Sequence, residues 1–206
     1  MNKLIITIAL WLTSSLVWSS ASILIVGDSL SAGYGIKVEQ SWPALLQEHF
    51  KQANEPYKVH NASISGQTTS EGVRQIDQLL QLTAPKVVVL ELGANDGLRG
   101  LSITEMESNL ETMIKKANGA KAKVVLLGIR VLNNYGRRYG AMFTETFERL
   151  AQKYSLEFVP FMLEPLEKVL TPENRSEYIQ ADGLHPTAKA QPLILNHLLP
   201  SIRSAL

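Results

Sequence analysis

Cysteine is absent from all 206 residues of the chain, which excludes a disulfide framework, a thiolate metal site and a cysteine nucleophile. The same absence is harmless in an oxidising compartment. Net charge is almost absent as well. Twenty basic and 19 acidic residues leave +1, too little to give an electrostatic footprint for nucleic acid or anionic lipid. Histidines number four and no His/Asp/Glu cluster has metal-ligand spacing, so neither metal nor cofactor is expected. Internal repeats, low-complexity tracts and linkers are missing too, and a chain of this length reads as one domain with a sizeable core.

No apolar run is long enough to span a bilayer. The longest, Leu4 to Val17, has roughly 14 residues, short of the ~20 a spanning helix needs. It follows a single positive charge at Lys3 and precedes small residues at Ser19 and Ala21, the pattern of a signal peptide over residues 1–21. A membrane anchor or a buried N-terminal helix is the competing reading, but a β-prone run begins almost at once after Ala21. The expectation is an exported, periplasmic or secreted protein, cleaved near Ala21. Its mature domain spans 22–206 and has no stable membrane insertion. Losing Lys3 leaves 19 bases against 19 acids.

What is present is 45% hydrophobic residues, 19% charged residues and a regular alternation of strand and helix signals. Ile23–Val26, Tyr57–Asn61, Lys86–Leu92, Lys123–Ile129 and Glu157–Val159 read as strands. Between them, Ser41 with Pro43 predicts one helix start, and the Thr104-Glu105-Met106-Glu107 capping box predicts another, running to about Asn118-Gly119. Helical spacing also marks Val73–Leu82 and Phe143–Tyr154, and Thr187 is expected to cap a final helix. Residues 160–181 read as irregular, with a short helix at Leu166–Leu170. Such alternation implies a parallel sheet covered on both faces. The expected fold is a three-layer α/β/α sandwich of about five strands in the flavodoxin-like order 2-1-3-4-5.

Chemistry-bearing residues collect on one edge of that sheet. Ile23-Leu24-Ile25-Val26 runs into Gly27-Asp28-Ser29, setting a hydroxyl where ligands bind in open α/β sheets. The loops after the next two strands carry Gly66 and Asn95, and Asp182-Gly183-Leu184-His185 precedes the last helix. A serine nucleophile needs a base within reach, histidine suits that role near neutrality, a carboxylate fixes its tautomer, and donors must await the oxyanion. Each signal alone has a plain structural reading: serine caps helices, asparagine closes turns, glycine takes positive φ, and Asp-x-x-His can be a surface turn. On residues alone, a binding module that cradles a nucleotide phosphate with Ser29 and nearby amides stays open, although it leaves Asp182 and His185 idle.

Gly27-Asp28-Ser29-Leu30, the Gly66 loop, Gly93-Ala94-Asn95-Asp96 and Asp182-Gly183-Leu184-His185 together resemble the four sequence blocks of the SGNH, or GDSL, hydrolases. Glu91–Gly100 and Asn134–Tyr139 are most similar to its exported bacterial acyl-CoA thioesterase/lysophospholipase (arylesterase) subgroup. The resemblance implies Ser29 as nucleophile, His185 as base and then acid, and Asp182 as orienter. It places the Ser29 and Gly66 N–H groups and the Asn95 amide in an oxyanion hole. It also implies substrate contacts from a loop at Gly97, Leu98 and Arg99, and from Arg130 and Val131 beside the acyl chain. Expected partners are small acyl esters, acyl-CoA or lysophospholipids, handled by a monomer; a carbohydrate acetyl esterase of the same family is the alternative. Arg99, Arg130, Arg137 and Arg138 could meet phosphate or coenzyme A groups, though a solvated charge is the simpler reading of any one arginine.

Overall fold

The computed structural model describes residues 21–131 and 136–206. Residues 1–20 of the expected signal peptide, and residues 132–135, lie outside the described residues.

Alternation along buried strands decides the layers. β1 (Ala21–Gly27) lies at the heart of the sheet, hydrogen-bonded to β2 (Tyr57–Asn61) on one side and β3 (Val87–Glu91) on the other. β4 (Lys123–Leu127) and β5 (Glu157–Val159) complete a parallel sheet in the order 2-1-3-4-5, as expected. Ile23, Ile25, Val87, Val89, Val125 and Leu127 face one core, closed by α2 (Trp42–Gln52) and α9 (Gln191–Ala205). Leu24, Val26, Val88, Leu90, Val124 and Leu126 face the other, closed by α3 (Thr69–Thr83), α5 (Ile103–Gly119) and α6 (Arg137–Tyr154). Period-2 side-chain alternation in strands buried on both faces produces this division. Short helices α1 (Ser29–Ala32), α4 (Ala94–Leu98), α7 (Glu164–Val169) and α8 (Arg175–Tyr178) sit in the connections.

Helix starts depart from the sequence reading in instructive ways. α5 begins two residues earlier than the Thr104 box implied: Ser102 is the N-cap, and its hydroxyl accepts from Glu105 N–H at 3.3 Å. The same Ser/Thr-x-x-Glu spacing occurs in both frames, and the earlier one brings Ile103 onto the core. Ser41 stands at the α2 N-cap, but its hydroxyl donates back to Val38 O at 2.6 Å. The first N–H of that helix is instead satisfied by the side chain of Gln191, 149 residues away, at 3.0 Å. Thr187 precedes a 3₁₀ turn at Ala188–Ala190, not α9 itself, and its hydroxyl donates to Glu177 O at 2.5 Å. The expected short helix at Leu166–Leu170 spans Glu164–Val169, starting earlier because Pro165 suits a first turn.

Candidate active site

Three consecutive crossovers deliver three loops to the carboxyl edge of the sheet. β1 ends at Gly27, opposite Glu91 in the β3 register. Any Cβ on Gly27 would lie 2.6 Å from a Glu91 carboxyl oxygen, so the turn into Ser29 requires glycine. Asp28 then accepts from Leu30 N–H at 3.1 Å and bends the chain into α1. After β2, Gly66 takes φ +82°, the left-handed conformation its loop demands. After β3, Gly93 at φ +128° leads into α4, which carries Asn95. Neither the Ser29 nor the Gly66 backbone N–H donates to any described residue. The Asn95 amide is engaged: it donates to Asp28 Oδ2 at 3.1 Å and to Gln67 O at 3.0 Å.

The fourth segment is a turn that braces itself. Gly183 takes φ +75°, which lets Asp182 Oδ1 accept from both Leu184 N–H (2.9 Å) and His185 N–H (3.0 Å). Its other oxygen, Oδ2, lies 2.7 Å from His185 Nδ1. Asp182 thus both caps its own turn and holds the imidazole. A bridge between Ile179 and Pro186 and a 2.8 Å bond from Gln180 N–H to His185 O tie this turn to the body. Gln180 also donates its side-chain amide to Tyr34 O and Pro186 O. The Tyr34 ring lies 4.6 Å from the imidazole, centroid to centroid. His185 Nε2 is left 2.8 Å from Ser29 Oγ. With Nδ1 facing a carboxylate, the proton is assigned to Nδ1, so Nε2 offers its lone pair to the serine hydroxyl.

These side chains open on a cavity of about 690 Å³ whose walls include Leu30, Ala94, Leu98, Ile129, Val131 and Leu166. Ser29, Gly66, Asn95 and His185 also line it. Acyl transfer is what a serine, an imidazole, an acid and free N–H donors beside an apolar cavity can do.

Residues 25–192 match the model of the GDSL-like lipase/acylhydrolase family. The chain belongs to this family. It is 41% identical over 194 residues to an arylesterase of Vibrio mimicus, covering 94% of each chain. It is 37% identical over 182 residues to a thioesterase 1/protease 1/lysophospholipase L1 of Escherichia coli K12, covering 88% of this chain and 83% of that one. A crystal structure of TesA superposes with a TM-score of 0.83 at 40% identity, covering 90% of this chain and 99% of that one. Membership of a family of acylhydrolases sets the nucleotide-cradle reading aside.

Within this GDSL-like fold the remaining expected residues fall into distinct places. Leu98, Arg130 and Val131 line the large cavity. The Arg130 guanidinium is committed, paired with Glu167 at 3.0 Å and stacked over the Phe161 ring at 4.4 Å. Gly97 is buried with no room for a side chain, a Cβ there lying 2.5 Å from Val131. Arg99 reaches across to donate to Gly66 O at 2.7 Å. Arg137 and Arg138 are exposed at the start of α6 and line neither described cavity.

One residue outside the four blocks, Glu91, is hydrogen-bonded to the turn that carries Ser29. Glu91 is fully buried; its Oε2 accepts from Asp28 N–H (3.2 Å) and Ser31 Oγ (2.7 Å), while Oε1 has no described partner. The visible signal was a lone acid closing an apolar strand. Burial, and then the Asp28 charge, push the Glu91 carboxyl well above its ordinary pKa. Burial likewise pushes Asp28 up to about 6, against the opposing pull of the Leu30 N–H. Asp182 goes the other way, to about 2, held down by the N–H groups of His185 and Leu184 and then by the imidazole.

A carboxyl whose pKa is raised by folding binds protons preferentially in the folded state, so stability falls as pH climbs from the unfolded value toward the folded one. For Glu91 that loss begins near pH 4. Relative to wild type, Glu91→Gln is therefore expected to gain several degrees in Tm between pH 4 and pH 7.5, since ~1 kcal/mol corresponds to about 2–4 °C at this size. Calorimetry at the two pH values measures it; a wild-type–variant gap independent of pH would contradict a raised Glu91.

Proposed function

We propose that the chain is an exported serine hydrolase that cleaves esters and thioesters of apolar acyl groups through an acyl-enzyme on Ser29. The observation that carries this reading is the unbroken relay from Asp182 through His185 to Ser29, at 2.7 and 2.8 Å, opening on an apolar cavity.

In the first step Ser29 Oγ attacks the acyl carbonyl while His185 Nε2 takes the hydroxyl proton. The imidazolium is held by Asp182, which stays ionised across the working range because its pKa is held near 2. The oxyanion accepts from the Ser29 and Gly66 N–H groups and from the Asn95 amide. His185 then returns the proton to the departing alkoxide or thiolate. In the second step His185 takes a proton from water, hydroxide adds to the acyl carbon, and collapse returns the proton to Ser29 Oγ and frees the acid.

The acyl chain lies along the apolar cavity, with the Arg130–Glu167 pair as part of its wall. The nucleophile, base, acid, donors and cavity all come from one chain, and the protein acts as a monomer. Residues 1–21 direct export and are removed near Ala21, leaving 22–206 as the catalytic domain. Among the described residues no helix is long and apolar enough to cross a membrane.

A hydrolysis panel tests this function. Purified 22–206 is expected to hydrolyse p-nitrophenyl esters from butyryl to palmitoyl, acyl-CoA thioesters and lysophospholipids. Activity confined to acetyl esters would overturn the lipid-acyl reading and favour the carbohydrate acetyl esterase.

A further inference from the structure

A second cavity, about 540 Å³, adjoins the first. The two share Ser65 and Gly66, so they meet at the loop that holds the Gly66 N–H. From there the second runs along α3, lined by Glu71, Arg74, Gln75 and Gln78. Those four positions are i, i+3, i+4 and i+7, one continuous stripe of a helix, and every one is polar. Arg99 closes the other side. Its guanidinium is pinned on Gly66 O, while Arg74 donates to Ser70 Oγ at 3.3 Å and stands 3.7 Å from Glu71. The Glu71 carboxylate is occupied at the α3 N-terminus, accepting from Thr68 N–H (2.8 Å) and Thr68 Oγ1 (3.0 Å). The cleft therefore carries two guanidiniums against one carboxylate that is already hydrogen-bonded.

Around the reacting carbon, the acyl chain and the leaving group must depart in different directions. The first cavity, largely apolar in its walls although the Arg130–Glu167 pair and Arg175 also line it, suits the first; the polar, cationic cleft beyond Gly66 suits the second. We infer that this cleft is a leaving-group subsite in which Arg74 and Arg99 receive a phosphate carried by the departing thiol or alcohol. Guanidinium forks match phosphate oxygens in geometry and charge. Two leaving groups share that chemistry, the phosphate-bearing thiol of an acyl-CoA and the glycerophosphate of a lysophospholipid. This inference rests on the acyl-hydrolase reading above.

The test compares palmitoyl-CoA and palmitoyl lysophosphatidylglycerol with p-nitrophenyl palmitate, which presents the same acyl chain and no phosphate. The readout is the ratio of kcat/KM on each phosphate substrate to that on the chromogenic ester. Arg74→Gln is the cleaner variant, since among the described residues the polar partners of Arg74 are Ser70 and Glu71. It is expected to lower the ratio about tenfold, in line with the loss of one charge-assisted contact. Arg74→Glu should lower it further, and Arg99→Gln should lower it comparably. Glu71→Gln keeps an acceptor for Thr68 and should raise it. Lys51→Gln, on the exposed side of α2, serves as the charge control. A fall for palmitoyl-CoA alone identifies the thiol as the phosphate source, and a fall for the lysophospholipid alone identifies the glycerophosphate. Ratios that stay within twofold of wild type in Arg74→Glu for both substrates overturn the subsite while leaving ester hydrolysis intact. Wild-type protein inert toward p-nitrophenyl palmitate and its shorter homologues would instead overturn the acyl-hydrolase reading, and the subsite with it.

Discussion

Ser29→Ala is expected to lower kcat/KM on a p-nitrophenyl ester by about 10⁵–10⁶-fold, equivalent to ~7–8 kcal/mol of transition-state stabilisation. The size follows from the geometry. Ser29 Oγ has one described partner, His185 Nε2 at 2.8 Å, so on the proposed mechanism the alanine variant removes the attacking atom and leaves the base with nothing to deprotonate. His185→Ala should be similarly impaired, and the double variant no worse than either, because groups that act as one unit are not additive. Folding should be little affected, since neither side chain belongs to a core and Asp182 keeps its own bonds to Leu184 and His185 N–H. Steady-state hydrolysis with burst-free controls measures the loss, and intact mass after exposure to a reactive phosphonate shows whether an adduct forms. A Ser29→Ala protein that keeps a tenth of wild-type activity, or still takes up the label, would remove Ser29 from the nucleophile's role.

Much of this was readable along the chain because the determinants are local. Ile23–Val26 and Val87–Leu90 are continuous apolar runs, and such runs have few ways to be buried other than in a covered parallel sheet. Right-handed crossovers then place the residues after β1, β2 and β3 on one edge. What escaped depends on distance in sequence. Nothing near Trp42 announces that Gln191 will satisfy its N–H. Nothing near Gly27 announces that Glu91 lies beneath it, apart from an acid where the strand should be apolar. The cavity wall from Phe161 to Leu170 reads along the chain as irregular structure with one short helix, so its place beside the site is visible only once α7 and α9 are packed. The second cavity was half-legible: Arg99 lies in the loop beside Asn95 that the motifs single out, whereas no motif or spacing marks Arg74 on α3. The Thr104 cap failed for a different reason, since two overlapping copies of one local pattern compete and only the packing of Ile103 separates them.

Asn95→Ala is expected to cost about 10² in kcat, toward the lower end of what removing one oxyanion donor does elsewhere. The lower end follows from the bonds Asn95 already makes. Both amide protons have acceptors at rest, Asp28 Oδ2 at 3.1 Å and Gln67 O at 3.0 Å, so a bond to the oxyanion is gained partly by exchange. The two backbone donors at Ser29 and Gly66 carry no such commitment and should account for more of the stabilisation. KM should change little, because the interaction strengthens only as charge develops on the carbonyl oxygen. Asn95→Asp separates donor loss from packing loss: it keeps the shape, removes the donor and sets a second carboxyl against Asp28. That variant should be at least as slow as Asn95→Ala. It should also lose stability as pH rises above 6, where the Asp28 carboxylate ionises and meets like charge. Single-turnover kinetics with a chromogenic ester, together with thermal unfolding at pH 5 and pH 8, resolve the two effects. If Asn95→Ala keeps more than a third of wild-type kcat, the amide serves to hold Asp28 and the Gln67 loop in place, and the oxyanion is stabilised by the backbone donors alone.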